Sequence, residues 1–132
     1  MKIFDSGTYR AKVNFVDKKN TLVGYDMGQS CCEAASWMIT TDEPPNYHPL
    51  EFKDELCEIS REDLEDYVFD TKYTSTIAEH PNLDSGGFVV FRLTKPRRKK
   101  AIYLTLFNHH NGYYSHGFEY DVGGKRALEG GL

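Results

Sequence analysis

Along residues 8–16, "TYRAKVNFV", apolar and polar side chains alternate. Tyr9, Ala11, Val13 and Phe15 face one way, and Arg10, Lys12 and Asn14 face the other. This period of two predicts a strand with one wet face. "DKKN" reads as a turn and "TLVGYD" as the returning strand, so the chain opens with a hairpin. Further on, "FVVFRL" at 88–93 is apolar on both faces, the pattern of a central strand. "TKPRRKK" turns the chain, and "AIYLTLFN" and "YSHGFEYDV" form a final strand pair. "TKYTSTIAE" is a weaker strand and "HPNLDSGG" a loop.

Two stretches carry helix signals. Ser30-Cys31-Cys32-Glu33 fits a capping box, with Ala34, Ala35 and Met38 sharing a helical face; a strand ending in "SWMIT" is the alternative. "SREDLEDYVF" is the better helix, since Ser60 caps it, Asp63 closes the box and its acidic first turn suits the helix dipole. Between them, "DEPPNYHP" holds three prolines in eight residues and is irregular. The expected architecture is α+β: a mostly antiparallel sheet of five to seven strands with one or two short helices. It forms a single domain over 1–122, followed by a mobile tail, "GGKRALEGGL", at 123–132.

The joint between the last two strands decides which side chains share a face. Asn111-Gly112 is a hairpin signal, but a two-residue turn would set Leu104 beside Glu119. A three-residue loop, His110-Asn111-Gly112 with a left-handed glycine, pairs Ile102 with Tyr120, Leu104 with Phe118, and Leu106 with His116. The apolar pattern prefers this bulged register. His116 then lies on the aliphatic face, His109 on the opposite face and His110 in the turn. Ligands that diverge in this way cannot meet a tetrahedral ion at about 2.0–2.3 Å. A metal site would have to take one of these histidines with Cys31, Cys32 or a carboxylate from elsewhere, and joining His116 to a cysteine is the lesser alternative. No metal site is expected, and no cofactor is implied.

Composition narrows the class. A chain of 132 residues with 39% hydrophobic content can bury a core without metal or disulfide staples. Its net charge of −4 and the absence of any apolar run near the ~18 residues of a membrane span argue for a soluble protein without membrane partners. The start, "MKIFDSGTYR", lacks the apolar core of a signal peptide, and three cysteines make no disulfide framework. A cytoplasmic location is the expectation. The charge is unevenly spread. Residues 42–70 hold eleven carboxylates against Lys53 and Arg61, while the last third is mildly basic.

Four features bear chemistry. At the first turn of a helix, Cys31 and Cys32 would have lowered thiol pKa values, and a histidine such as His116, His48 or His80 would serve as base; buried, inert thiols are the bland alternative. "KPRRKK" puts five cations in six residues, which without interleaved aromatics reads as a solvated turn, so nucleic acid is not the expected partner. The acidic segment, including Glu62, Asp63 and Asp66, offers a surface for a basic partner or an imitation of a phosphate backbone. Nine tyrosines, Tyr113 and Tyr114 among them, favour a protein interface over an active site.

Cys31, Cys32 and Glu33 after an early hairpin, together with Gly112, Tyr113, Tyr114, Gly117 and Phe118 near the C-terminus, resemble a family of short proteins, many encoded by phages or prophages. The resemblance covers the two ends of the chain, leaves out residues 42–70, and implies relatives without an activity. The expectation is a small non-enzymatic module, of phage or prophage kind, that binds another protein. The competing expectations are a cysteine-dependent enzyme or redox protein and an acidic nucleic-acid mimic.

Overall fold

The alternation at the N-terminus becomes the first pair of long strands in the computed structural model, which describes residues 1–5, 12–28, 34–44, 56–73, 75, 77–78, 86–98, 100–109 and 115–132. After a short β1 (Lys2–Asp5) come β2 (Lys12–Val16) and β3 (Thr21–Asp26), paired antiparallel. Val13 and Phe15 are fully buried, as their alternation with Lys12 and Asn14 requires. Eight more strands follow: β4 (Ala34–Thr40), β5 (Leu56–Cys57), β6 (Val68–Phe69), β7 (Ile77–Ala78), β8 (Gly86–Thr94), β9 (Ile102–His109), β10 (Gly117–Val122) and β11 (Lys125–Gly131). They make two sheets, ordered β1-β2-β3-β10-β11 and β5-β4-β9-β8-β6, with β7 also on β8. Only the two-residue β4–β5 pairing is parallel.

The sheets pack face to face. Phe15 meets Trp37 edge-on at 5.3 Å, and Phe91 lies 5.1 Å from Tyr120 and 6.4 Å from Phe118. The Tyr25 hydroxyl donates across the interface to the Phe107 carbonyl oxygen at 2.9 Å. β8 is central, as its doubly apolar sequence predicts. Val89, Phe91 and Leu93 enter the inter-sheet core, while Phe88 and Val90 join Met38 and Phe107 in a smaller cluster on the far side of the sheet.

The expected α+β architecture is therefore wrong: the described residues form an all-β, two-sheet fold with no α-helix. Residues 34–40 take the strand alternative. β4 pairs along its whole length with β9 and at Met38 and Ile39 with β5, and Trp37 and Ile39 face the core while Met38 faces the other way. At 60–67 the capping chemistry survives without the helix. The Asp63 N–H lies 3.3 Å from the Ser60 hydroxyl oxygen, but the main chain closes only short turns, from Asp63 to Ser60, Glu65 to Glu62 and Tyr67 to Leu64. Val68 and Phe69 then pair with Thr94 and Leu93 of β8. A ten-residue helix is marginal alone, and the sheet outcompetes it. No helix among the described residues is long and apolar enough to cross a membrane.

The final hairpin is also corrected. β9 and β10 face the same core but belong to different sheets. Leu104 pairs with Ile39 and Phe91, whereas Phe118 pairs with Tyr25 and Gly130. Residues 110–114, where the bulged loop was expected, lie outside the described residues. The last ten residues, expected as a tail, complete the first sheet. Gly123 and Gly124, at φ 59° and 82°, make the two-residue turn that needs left-handed backbone, and β11 returns along β10. Leu132 ends in the core, 4% exposed.

A buried carboxylate joins the layers at one end. Asp17, 5% exposed, accepts the N–H groups of Lys19 and Thr21 at 2.9 Å within its own turn. Its second oxygen accepts the Phe69 N–H of the other sheet at 2.8 Å. Asp17→Ala strands three donors and should lower the unfolding free energy by about 3 kcal/mol, read as a shift in urea midpoint; Asp17→Asn keeps one acceptor oxygen and should lose less.

Candidate functional site

The surface that stands out is built on β1. Its side chains alternate, so that Ile3 packs on the core while Lys2 and Phe4 take the outer face. Phe4 is 55% exposed and is the one large hydrophobic side chain exposed among the described residues. Among the described residues β1 pairs only with β2 and lies at the edge of its sheet.

The 61–66 turn stands beside this edge. Leu64 and Tyr67 are fully buried and pin it to the core, which leaves Arg61, Glu62, Asp63, Glu65 and Asp66 in solvent. The Met1 ammonium holds the turn against β1 by donating to the main-chain oxygens of Leu64, Glu65 and Tyr67, the last two at 2.9 and 3.0 Å. Burial holds the pKa of this amine below its ordinary value of 8.0, against the opposing pull of Asp17. Two hollows meet at Phe4. One, of about 390 Å³, runs between Phe4 and Val16 on one side and Glu65 and Asp66 on the other. The second, of about 260 Å³, separates Ile3 and Phe4 from Glu62, Leu64 and Glu65.

Of the residues singled out from sequence, Glu62 and Asp66 line these hollows, and Asp63 sits on the same turn. Asp66 also pairs with Lys18 at 3.2 Å, both side chains being well exposed. Cys31, Cys32, Tyr113 and Tyr114 lie outside the described residues, as do His48, His80 and His110. His116 is 4% exposed, on the core side as its alternation predicts. Its Nδ1 lies 2.7 Å from the Asp26 carbonyl oxygen. A carbonyl only accepts, so the ring proton sits on Nδ1. The ring also packs edge-on against Tyr25. This geometry makes His116 a group that ties β10 to β3. Among the described residues no three His, Cys, Asp or Glu side chains converge as a metal site would require.

Two other polar clusters are engaged with themselves. A hollow of about 430 Å³ crosses β3, β10 and β11, floored by Gly24, Gly117 and Gly130. A Cβ on Gly24 would stand 2.9 Å from both the Asn14 and Glu119 side-chain oxygens, so those side chains would have to move aside. The missing side chain lets Glu119 lie across β3 to reach Lys12 at 2.6 Å, while Arg126 joins Glu119, Asp121 and Glu129. On the second sheet, Arg92 donates twice to Asp70 and stacks over the Tyr73 ring at 4.9 Å. Burial works against the Asp70 carboxylate, but the Arg92 hydrogen bonds hold its pKa below the ordinary value. Burial and a 2.6 Å hydrogen bond to Glu43 raise Tyr73 to about 12.

Phe4 and Met1 were missed in the sequence. Lys2, Ile3, Phe4 and Asp5 read polar, apolar, apolar, polar, so no alternation marks Phe4 as the outward side chain. Comparison of the chain with protein-family models, curated proteins and solved structures returns no match. The resemblance of its two ends to short phage proteins stands on those motifs alone.

Two outcomes check these assignments. His116→Phe keeps a ring beside Tyr25 but leaves the Asp26 carbonyl without its donor, and should cost about 1–3 kcal/mol by denaturant titration. Cys57 is half-buried, donates to the Ile59 carbonyl oxygen, and has its thiol pKa raised chiefly by burial. Peptide-resolved alkylation at neutral pH should find it slower than a small unhindered thiol; a faster rate would contradict its burial.

Proposed function

We propose that the chain is a non-enzymatic module that binds another protein through the surface formed by β1 and the 61–66 turn. The observation that carries this is Phe4, exposed where two hollows meet and faced by carboxylates on a turn held to the core. Exposed aromatics in partly formed pockets are the usual anchors of protein interfaces, and a polar rim excludes water around them. The acidic character selects the partner. Of the carboxylates in the acidic segment, Glu43, Glu58 and Asp70 are engaged by Tyr73, Thr41 and Arg92. Glu62, Asp63, Glu65 and Asp66 stand together at the rim instead, with Lys18 and Arg61 beside them and Lys2 and the Met1 ammonium lining the β1 side of the hollows. Such a field favours and steers a basic partner.

Selection of displayed random peptides on the immobilised chain tests the proposal. Enriched ligands should combine basic with bulky apolar residues and should weaken with salt. Phe4→Ala should leave folding stability within about 0.5 kcal/mol, as expected of an exposed side chain, and weaken those ligands about tenfold. Glu62→Lys should weaken them as well. Ligands indifferent to both substitutions would overturn the assignment of this surface.

A further inference from the structure

We propose that the turn joining β8 to β9 is an anion site, in which Lys95, Arg97 and Arg98 receive a single phosphate monoester carried by a segment of another protein. The site is separate from the Phe4 surface, and either can fail without the other.

The turn has a fixed shape. The Arg98 N–H donates to the Lys95 carbonyl oxygen at 3.2 Å. Pro96 stands at the first central position, and Arg97, at φ 69°, holds left-handed backbone at the second. These are the marks of a type II turn, whose second central position favours glycine or asparagine. An arginine held there against its backbone preference is a mark of binding and switch segments. Val68 pairs with Thr94, and one step further along that antiparallel register Tyr67 faces Lys95. The Tyr67 ring is fully buried, and two cations lie over it: Lys95 Nζ at 5.8 Å and Arg98 Cζ at 5.9 Å from its centroid. The ring attracts each head, but the two heads repel each other.

Among the described residues no carboxylate pairs with Lys95, Arg97, Arg98 or Lys100, whereas Arg92 and Arg126 are ion-paired on their sheets. An anion within reach of both Lys95 and Arg98 would relieve their repulsion, and the exposed Arg97 and Lys100 side chains can close on it. The surroundings limit its size. The acidic turn ends one residue before Tyr67, and its Glu62, Glu65 and Asp66 line the hollows beside β1, with Asp66 paired to Lys18. An extended polyanion, such as a nucleic acid or an anionic membrane surface, would lay further negative charge along that turn and be repelled. A lone phosphate monoester is compact enough to meet the cations alone. It carries about two negative charges at neutral pH and offers strong acceptor oxygens to guanidinium donors.

The test titrates the isotopically labelled chain with a short peptide of neutral residues carrying one phosphoserine, followed by amide shifts. Shifts should concentrate at Lys95, Arg97, Arg98, Lys100 and Tyr67, and the unphosphorylated peptide should give none. Binding should strengthen as pH rises through about 6, where a phosphate monoester gains its second charge. It should weaken with salt and with added inorganic phosphate. Arg97→Gly removes a cation while easing the turn, so the chain should stay at least as stable and bind the phosphopeptide about tenfold more weakly. Arg98→Gln should weaken it by a similar factor. Equal shifts from the two peptides, or an affinity that survives both substitutions, would overturn the site. A short DNA duplex that shifts the same amides at lower concentration than the phosphopeptide would overturn the choice of ligand.

Discussion

The carboxylate of Asp17 does more than close a turn. Its first oxygen gathers the Lys19 and Thr21 amides and so fixes the register of β2 with β3. Its second oxygen takes the Phe69 amide and brings β6, the edge of the other sheet, to the same point. Because Phe69 lies two residues after the 61–67 segment, that bond also limits where the acidic turn can lie. The Met1 ammonium then clips the turn to β1. The hollows beside Phe4 are thus the gap left between two segments whose separation one buried acid sets. A group that accepts three main-chain donors in a nearly dry site is costly to replace, because each donor would otherwise be buried unpaired.

The crossing between β9 and β10 explains both the success and the failure of the sequence pattern. Alternation tells which side chains point to the core, and it did so for Ile102, Leu104 and Leu106, and for His116, Phe118 and Tyr120, all of which are buried. It cannot tell whether two consecutive strands with matching faces lie side by side or across the core from each other, because both arrangements bury the same residues. Here β9 finds partners on both sides in β4 and β8, which leaves β10 to the other sheet. The same competition turned the capping sequence at 60–63 into tight turns. The Ser60 half of the expected box forms, with its hydroxyl near the Asp63 N–H, but the apolar Val68 and Phe69 are claimed by β8.

The candidate surface was half legible. Its acidic half is explicit in composition, where Glu62, Asp63 and Asp66 stand out in the carboxylate-rich segment. Its aromatic half was not, since a phenylalanine two positions after a lysine carries no sign of exposure. Phe4 is exposed because Ile3 occupies the core-facing position and the sheet ends at β1. Both are facts about the assembled sheet. His116 shows the converse. Its residue type suggested chemistry, and its register suggested the core. The carbonyl of Asp26, a distant residue in sequence, makes it a structural donor.

Among the described strands, the other sheet edges carry features that discourage pairing. On the second sheet β5 and β6 have two residues each, too short to template another strand. On the first sheet the opposite edge, β11, carries the Arg126 and Glu129 ion pairs, and its pairing with β10 is broken by a register shift after Tyr120. Charge, brevity and irregularity are the devices by which sheets discourage unwanted pairing. β1 has charge at its ends, in Lys2 and Asp5, but an exposed aromatic between them and an open hollow beside it. Among the described strands, three edges are thus guarded while the fourth carries an exposed phenylalanine. Whatever packs on Phe4 meets charge of both signs, from Lys2 and the Met1 ammonium on the β1 side and from Glu62 and Glu65 on the turn.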